Sequence, residues 1–363
     1  MNVLLLTCST GGGHNSTAAA IGAAVEARGG VWQAVNVLDF LPESTAEFIT
    51  KGHDFSYRHI PKLYGVGYRF EEKHPPVFLQ ERIVRGAPQL AEAIAAIRPD
   101  AIVSVHVFAS MMVTELRRTG QLSLPACFVA TDYTCSPGVG QLDADVFFIP
   151  HEDLRPEFEA AGVPGGRIVV SGIPVRSVFA PADDREALKR SLGIENGGRL
   201  LVMAGGSMGC GPIPQIATLL RPRLGEKDRL VVVCGSNKAM YRRLRAVFRR
   251  SKRVQILGYT RDMARLVRAA DLLITKAGGL STTEAVAAET PILYINAVPG
   301  CESRNLQFMT ARGYAAAGKH AWDVAEQAEL LLDGPWLREA MVEARRGRFP
   351  TGAAETVCRT MSI

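Results

Sequence analysis

The residues best suited to chemistry in this chain stand where an apolar run breaks into glycine and a helical pattern follows. One such stretch is Met1-Asn-Val-Leu-Leu-Leu-Thr-Cys-Ser-Thr-Gly-Gly-Gly-His14, and another is Arg199-Leu-Leu-Val-Met-Ala-Gly-Gly-Ser-Met-Gly-Cys-Gly211. Glycines let backbone amides come close to a ligand, and the helix beyond adds the positive end of its dipole. His14 falls in the first helical turn beyond Gly12 and Gly13, where the dipole disfavours the imidazolium. A neutral imidazole there suits a general base; the alternative is a helix cap or an exposed ring. The turn Gly205, Gly206, Ser207, Met208, Gly209 lacks the lysine of a P-loop and the spacing of the dinucleotide fingerprint. What remains is a glycine nest with a hydroxyl, fit for diphosphate oxygens, or else a tight strand-helix turn with no ligand.

Three further clusters share this design. In Lys276-Ala-Gly-Gly-Leu-Ser-Thr-Thr-Glu284, Gly278 and Gly279 permit close approach. Ser281 and Glu284, flanking Thr282, have the spacing of a capping box, and Glu284 could also accept from a ribose diol. Glu302 and Asn305 are three apart, on one face of a starting helix, as sugar hydroxyls require; a solvated helix start reads the same way. Asp132, just past an apolar strand, is a second candidate base or a partner for His14. The chain is read as lacking a dense carboxylate cluster of the Asp-x-Asp type, which is consistent with a metal-free site.

The elements that must position these groups follow from apolar runs. Short continuous runs at 3–6, 101–107, 126–131, 146–149 and 167–171 read as buried parallel strands, and so do 200–204, 230–234, 254–257, 272–275 and 292–295. Helical patterns lie between them, and the stretch from Pro335 onward reads as one or two closing helices. The fold class is therefore α/β, with two Rossmann-like domains expected to face an interdomain cleft. Residues 1–176 form the first, 177–335 the second, and 336–363 are expected to pack back on the first.

The 363 residues are 47% hydrophobic and 21% charged, which excludes disordered and fibrous classes. Seven scattered cysteines without a Cys-x-x-Cys pair argue for reduced thiols in a cytoplasm. The apolar start is too short for a targeting segment, and no run approaches the roughly 20 apolar residues that span a bilayer. A net charge of +6 favours anionic partners: nucleotides, acidic lipids or nucleic acid. Aromatic and basic residues alternate between Phe40 and Pro76, as in helices that meet a lipid interface or pack on a domain surface. The densest basic run, Tyr241 to Arg253, is a solvated helix face or an attractor of anionic headgroups.

Taken in order, eight motifs resemble one family. They are Gly-Gly-Gly-His14, Thr131-Asp132-Tyr133, Gly172-Ile-Pro-Val-Arg176, the Gly205 turn, Val233-Cys-Gly-Ser-Asn-Lys238, Leu257-Gly-Tyr-Thr-Arg-Asp-Met263, Thr275-Lys-Ala-Gly-Gly279 and Pro299-Gly-x-Glu302. This order resembles monogalactosyldiacylglycerol synthases and processive diacylglycerol glucosyltransferases and, more distantly, MurG. The resemblance implies a GT-B fold and an inverting, metal-independent glycosyl transfer from a UDP-hexose to a lipid acceptor, with no cofactor. It implies that Gly205 to Gly209 with Ser207 hold the diphosphate, Glu284 the ribose, and the Gly258, Tyr259 and Thr260 backbone the uracil. Glu302 and Asn305 would hold the hexose, Gly12, Gly13 and His14 would face the acceptor, and His14 or Asp132 would be the base.

Cys301 stands where the family often has glutamine, and Ser136-Pro-Gly-Val139 where it has a histidine and an aromatic; these departures bear on the hexose and on the acceptor. The expected setting is cytoplasmic, peripheral on an anionic inner membrane face. Alternatives are a polyprenyl or soluble acceptor, an epimerase acting on the donor alone, or a non-catalytic nucleotide- or lipid-binding relative. Nucleic acid is not expected, since the basic residues lack an interleaved stacking platform.

Overall fold

The computed structural model describes residues 1–9, 12–47, 49, 77–295, 297 and 300–363. Most of the aromatic and basic stretch noted above, from Phe55 to Lys73, lies outside them. The chain divides into two compact units. One comprises Met1–Arg176, Val298–Cys301 and Phe349–Ile363; the other comprises Ser177–Ala297 and Glu302–Arg348.

The first unit is built on six parallel strands: β1 (Asn2–Thr7), β2 (Val31–Asn36), β3 (Ala101–Ser104), β4 (Ala126–Val129), β5 (Val146–Ile149) and β6 (Ile168–Val170). Their order in the sheet is β2-β1-β3-β4-β5-β6. The period of two sorts β1 onto two faces. Leu4 and Leu6 join Ile83, Leu90 and Met112 on one face, while Val3 and Leu5 join Ile21, Val25 and Val357 on the other.

The second unit repeats the plan with β7 (Leu200–Ala204), β8 (Arg229–Val233), β9 (Val254–Leu257), β10 (Leu272–Thr275), β11 (Ile292–Tyr294) and β12 (Ala316–Ala317). Here the order is β12-β11-β10-β7-β8-β9, again all parallel.

The structure departs from the sequence reading in three places. The run from Ala101 stops being a strand at Ser104, because the His106 side chain caps a helix, Val107–Arg118, accepting from the Phe108 amide at 3.1 Å. The edge strands β2 and β12 carry no strand signal in the sequence: Val-Trp-Gln-Ala-Val-Asn is only half-buried and mixes polar with apolar residues, and Ala-Ala is too short to show a period. The tail also divides. Helix Pro335–Arg345 packs Met341 and Leu337 into the core of the second unit, whereas Ala353–Met361 packs Val357 and Cys358 against the first.

Carboxylates pin the amino ends of the strands in both units. Asp100 accepts from the Asn2 amide at 2.6 Å, Asp145 from Ala126 at 2.8 Å, Asp228 from Arg199 at 3.0 Å and Asp271 from Leu200 at 2.7 Å. Asp228 is almost fully buried and is gripped by the Arg199 guanidinium at 2.6 Å. Burial pulls its carboxyl up, but the Arg199 fork and the Gly225 and Arg199 amides outweigh burial and hold it below the ordinary carboxylate value.

A carboxyl whose folded pKa is depressed stabilises the fold above its unfolded value, near pH ~4. That contribution is lost as pH falls through the lower folded value. Asp228→Asn leaves Arg199 without its buried counter-charge and is expected to cost about 3 kcal/mol at neutral pH. In urea unfolding monitored by circular dichroism, the gap between variant and wild type should shrink below pH ~4.

Candidate active site

A parallel sheet opens a crevice where neighbouring strands send their connections to opposite faces. In the second unit that switch lies between β7 and β10, and the Gly205 turn and the Lys276–Gly279 loop leave those two strands side by side. The turn is possible only with glycine. Gly206 has φ of +73° and a Cβ there would sit 2.6 Å from Lys276 Cε, while Gly209 has φ of +59° and a Cβ would sit 2.2 Å from the Cys234 carbonyl. Lys276 therefore lies directly on the Gly206 backbone.

The Lys276 ammonium reaches the Glu302 carboxylate at 2.7 Å, and both side chains are mostly buried. In the sequence Lys276 only precedes a glycine motif and carries no signal of its own. Sequence alone could not show that its side chain crosses onto the Gly206 turn. A cation is thus held between a glycine nest and a carboxylate, an arrangement that can neutralise phosphate oxygens on one side and orient hydroxyls on the other.

The Val233–Lys238 segment serves as the frame of the nest. The Ser236 amide donates to the Ser207 carbonyl at 2.8 Å, and Asn237 Nδ2 donates to the Gly209 carbonyl at 3.2 Å. Ser207 itself is exposed at the tip of the turn. Gly258, Tyr259 and Thr260 follow the carboxyl end of β9 on the same edge of the sheet, with Tyr259 76% exposed and Thr260 Oγ1 accepting from the Asp262 amide.

Helix Gly279–Ala287 starts one turn earlier than a capping box would place it. Its N-cap is Gly278, and no side chain caps it, so Ser281 and Glu284 are not the Ser-Glu box read from spacing. The loop runs straight from β10 into the helix because Gly278 and Gly279 allow it, and the first-turn amides face the ligand edge. Thr282 is fully buried and its hydroxyl pairs with the Tyr294 hydroxyl at 2.8 Å, so it belongs to the core rather than to a ligand face. Glu284 is half-buried.

Asn305 is likewise fully buried, and its Nδ2 donates to the Ala277 carbonyl at 2.9 Å. Of the pair expected to face a sugar, Glu302 reaches the site. Asn305 stands behind the Lys276–Gly278 loop and fixes it.

In the first unit the switch lies between β1 and β3. His14 is the third residue of helix Gly12–Ala27, which follows β1, and its Nδ1 lies 3.0 Å from the Val105 carbonyl just past β3. A carbonyl only accepts, so Nδ1 carries the hydrogen and the neutral ring keeps its lone pair on Nε2. Thr131 Oγ1 stands 3.3 Å from the same nitrogen, and the His106 ring meets His14 edge-on at 4.7 Å between centroids. Val105 and His106 carry no motif signal and Thr131 is quoted only as the neighbour of Asp132, because the fold brings all three to His14 from over 90 residues away in sequence.

Asp132 follows Thr131 at the carboxyl end of β4 and is half-buried. Its loop is held by Glu157, which accepts from Thr134 Oγ1 at 2.6 Å and from the Cys135 amide at 2.9 Å. The sequence does contain one Asp-x-Asp triplet, Asp143-Ala144-Asp145. It lies at the amino end of β5, away from the ligand edge, and its carboxylates meet Arg117 and Arg167. Among the described residues, no three His, Cys, Asp or Glu side chains are placed to hold a metal ion.

Comparison with known proteins bears on the family and the fold. Residues 14–175 match the monogalactosyldiacylglycerol (MGDG) synthase family and residues 215–348 the glycosyl transferases group 1 family. A probable chloroplastic monogalactosyldiacylglycerol synthase of Glycine max is 28% identical over 89% of this chain, which spans 64% of that relative's length. A processive diacylglycerol beta-glucosyltransferase of Bacillus cereus is 26% identical over 99% of this chain and 92% of its own. The crystal structure of Acinetobacter baumannii MurG matches with a TM-score of 0.65 at 16% identity, covering 99% of both chains, so the expected GT-B fold is the fold observed.

Lys276→Met removes the cation and leaves the aliphatic stem. The expected outcome is about ten- to a hundredfold weaker binding of UDP by calorimetry, the loss of one charged hydrogen-bonding group. Gly206→Ala should weaken UDP binding as well, since the new Cβ displaces Lys276 and strains a left-handed backbone.

Proposed function

From the matches to the monogalactosyldiacylglycerol synthase and glycosyl transferases group 1 families, we propose that the chain belongs with the diacylglycerol glycosyltransferases of GT-B fold and transfers a hexose from a UDP-sugar to diacylglycerol or a related lipid alcohol, with inversion. The observation that carries this reading is Lys276, seated on the Gly206 turn and paired with Glu302. Breaking the bond between sugar and diphosphate leaves negative charge on UDP. Preorganised amides and a fixed ammonium stabilise that charge without a metal ion.

The donor-side roles are shared among adjacent loops. The Gly205 to Gly209 amides and Ser207 hold the diphosphate, with Lys276 as counter-charge, and the Gly278 and Gly279 amides add to this field. Glu284 accepts from the ribose diol, Gly258 to Thr260 line the uracil, and Glu302 accepts from hexose hydroxyls. Asn305 and Thr282 act as positioning residues, the first through the Ala277 carbonyl and the second through Tyr294.

On the acceptor side, Gly12 and Gly13 give the acceptor hydroxyl access to His14. Nε2 of His14 takes the hydroxyl proton as the oxygen attacks the anomeric carbon, and the bond to the diphosphate breaks in the same step. Val105 and Thr131 hold the tautomer that leaves Nε2 basic. Asp132 borders the same edge and orients the acceptor.

No described helix is long and apolar enough to cross a membrane. The lipid acceptor is met at the surface of an anionic membrane, on the inner face, by peripheral contact.

The purified chain with a panel of UDP-sugars and diacylglycerol, polyprenyl or soluble acceptors should release UDP only with a lipid alcohol. The reading fails if no pair releases UDP and UDP does not bind. Rearranged sugar from donor alone would make the protein an epimerase. His14→Ala should lower kcat by about a hundredfold to ten-thousandfold with UDP binding retained. Transfer in EDTA should run as fast as in magnesium.

A further inference from the structure

The positive charge of this protein is concentrated in one element. The sixteen residues from Lys238 to Arg253 hold eight lysines and arginines and no Asp or Glu, which exceeds the net +6 of the whole chain. Most of them lie on helix Lys238–Phe248 and the turn after it. Met240, Leu244 and Phe248, at four-residue spacing, bury one face. Arg242, Arg243, Arg249 and Arg250 are exposed on the other sides, with the small side chains of Ala239 and Ala246 between them.

Among the described residues Arg242, Arg243, Arg249, Arg250 and Lys252 form no ion pair. Arg245 differs, since it lies over the Tyr241 ring at 5.6 Å and donates to its hydroxyl at 3.2 Å. Four unpaired guanidiniums on one exposed surface repel one another unless anions meet them.

We propose that the exposed face of helix Lys238–Phe248 is a docking surface for a phosphate-bearing lipid bilayer. Arg242 with Arg249 and Arg243 with Arg250 recur at seven-residue spacing and so share one side of the element, which suits headgroups spread in a plane, and Val247, 54% exposed beside them, can enter the headgroup layer. A nucleic acid would need bases to stack, and Tyr241, the one aromatic of this helix outside the core, is half-buried under Arg245. Choosing a lipid surface rests on the lipid-acceptor reading above; the charge array does not.

The helix is tied to the diphosphate nest. Asn237 caps it, accepting from the Met240 amide at 2.9 Å, and the same side chain donates to the Gly209 carbonyl. Docking this helix therefore brings the donor turn to the membrane surface.

The test uses the full chain and a variant with Arg242→Gln, Arg243→Gln, Arg249→Gln and Arg250→Gln combined. Both are sedimented with vesicles of phosphatidylcholine alone or with about one third phosphatidylglycerol. Wild type should bind the anionic vesicles, less strongly as salt rises, and the variant at least about a hundredfold more weakly. Melting temperature and kcat on short-chain diacylglycerol in neutral micelles should be unchanged, which separates lost docking from lost folding or chemistry. Equal vesicle binding by the two proteins overturns the proposal, and so does tighter binding of wild type to single-stranded RNA than to vesicles at the same salt. Vesicle binding that depends on the arginines, in a protein without transferase activity, would sustain this surface and sink the function proposed above.

Discussion

The sheet order governs both candidate sites. With β1 or β7 placed first and later strands added on both sides, the connections after two adjacent strands leave on opposite faces and open a crevice at their carboxyl ends. His14 with the Val105 carbonyl occupies that point in one unit, and the Gly205 turn with Lys276 occupies it in the other. A strand order without such a reversal would close each crevice with a connecting helix, whatever residues the loops carried.

The two edges of each sheet divide the work between them. Carboxylates gather at the amino edge, where Asp100, Asp145, Asp228 and Asp271 accept from amides that the ladder leaves unpaired. At the carboxyl edge of the second unit the polarity reverses. Glycine amides, helix starts and an ammonium gather there, and Glu302, whose carboxylate is held close to the nest, is charge-paired with that ammonium. This explains why the Asp143-Ala144-Asp145 triplet, which resembles a cation motif in sequence, serves the scaffold: it stands on the edge where carboxylates anchor strands.

Lys276 gives the second unit its electrostatic character. An ammonium laid across a glycine with no Cβ sits closer to the backbone than any side chain could permit, so glycine at 206 and lysine at 276 depend on each other. Behind them Asn305 holds the Ala277 carbonyl and Asn237 the Gly209 carbonyl, so each loop of the crevice is fixed by a buried or half-buried amide side chain. Fixed dipoles of this kind need no reorganisation when charge develops beside them.

The class of fold, ten of the twelve described strands and the loops that carry glycine are legible in the sequence, because buried parallel strands are continuous apolar runs and tight turns demand glycine. The sequence did not reveal β2 or β12, whose edge positions relax the apolar pattern, nor the end of β3, where a histidine cap rather than a break in hydrophobicity stops the strand. It ranked Asn305 and Thr282 with the ligand residues, since spacing puts them on the right helices but cannot say which way they face. Tertiary structure alone decided that Lys276 lies on Gly206, that Val105 and Thr131 meet His14, and that the last two helices serve different units. Periodicity and turn chemistry are local and can be read along the chain, whereas these contacts join loops after strands that become neighbours only when the sheet assembles.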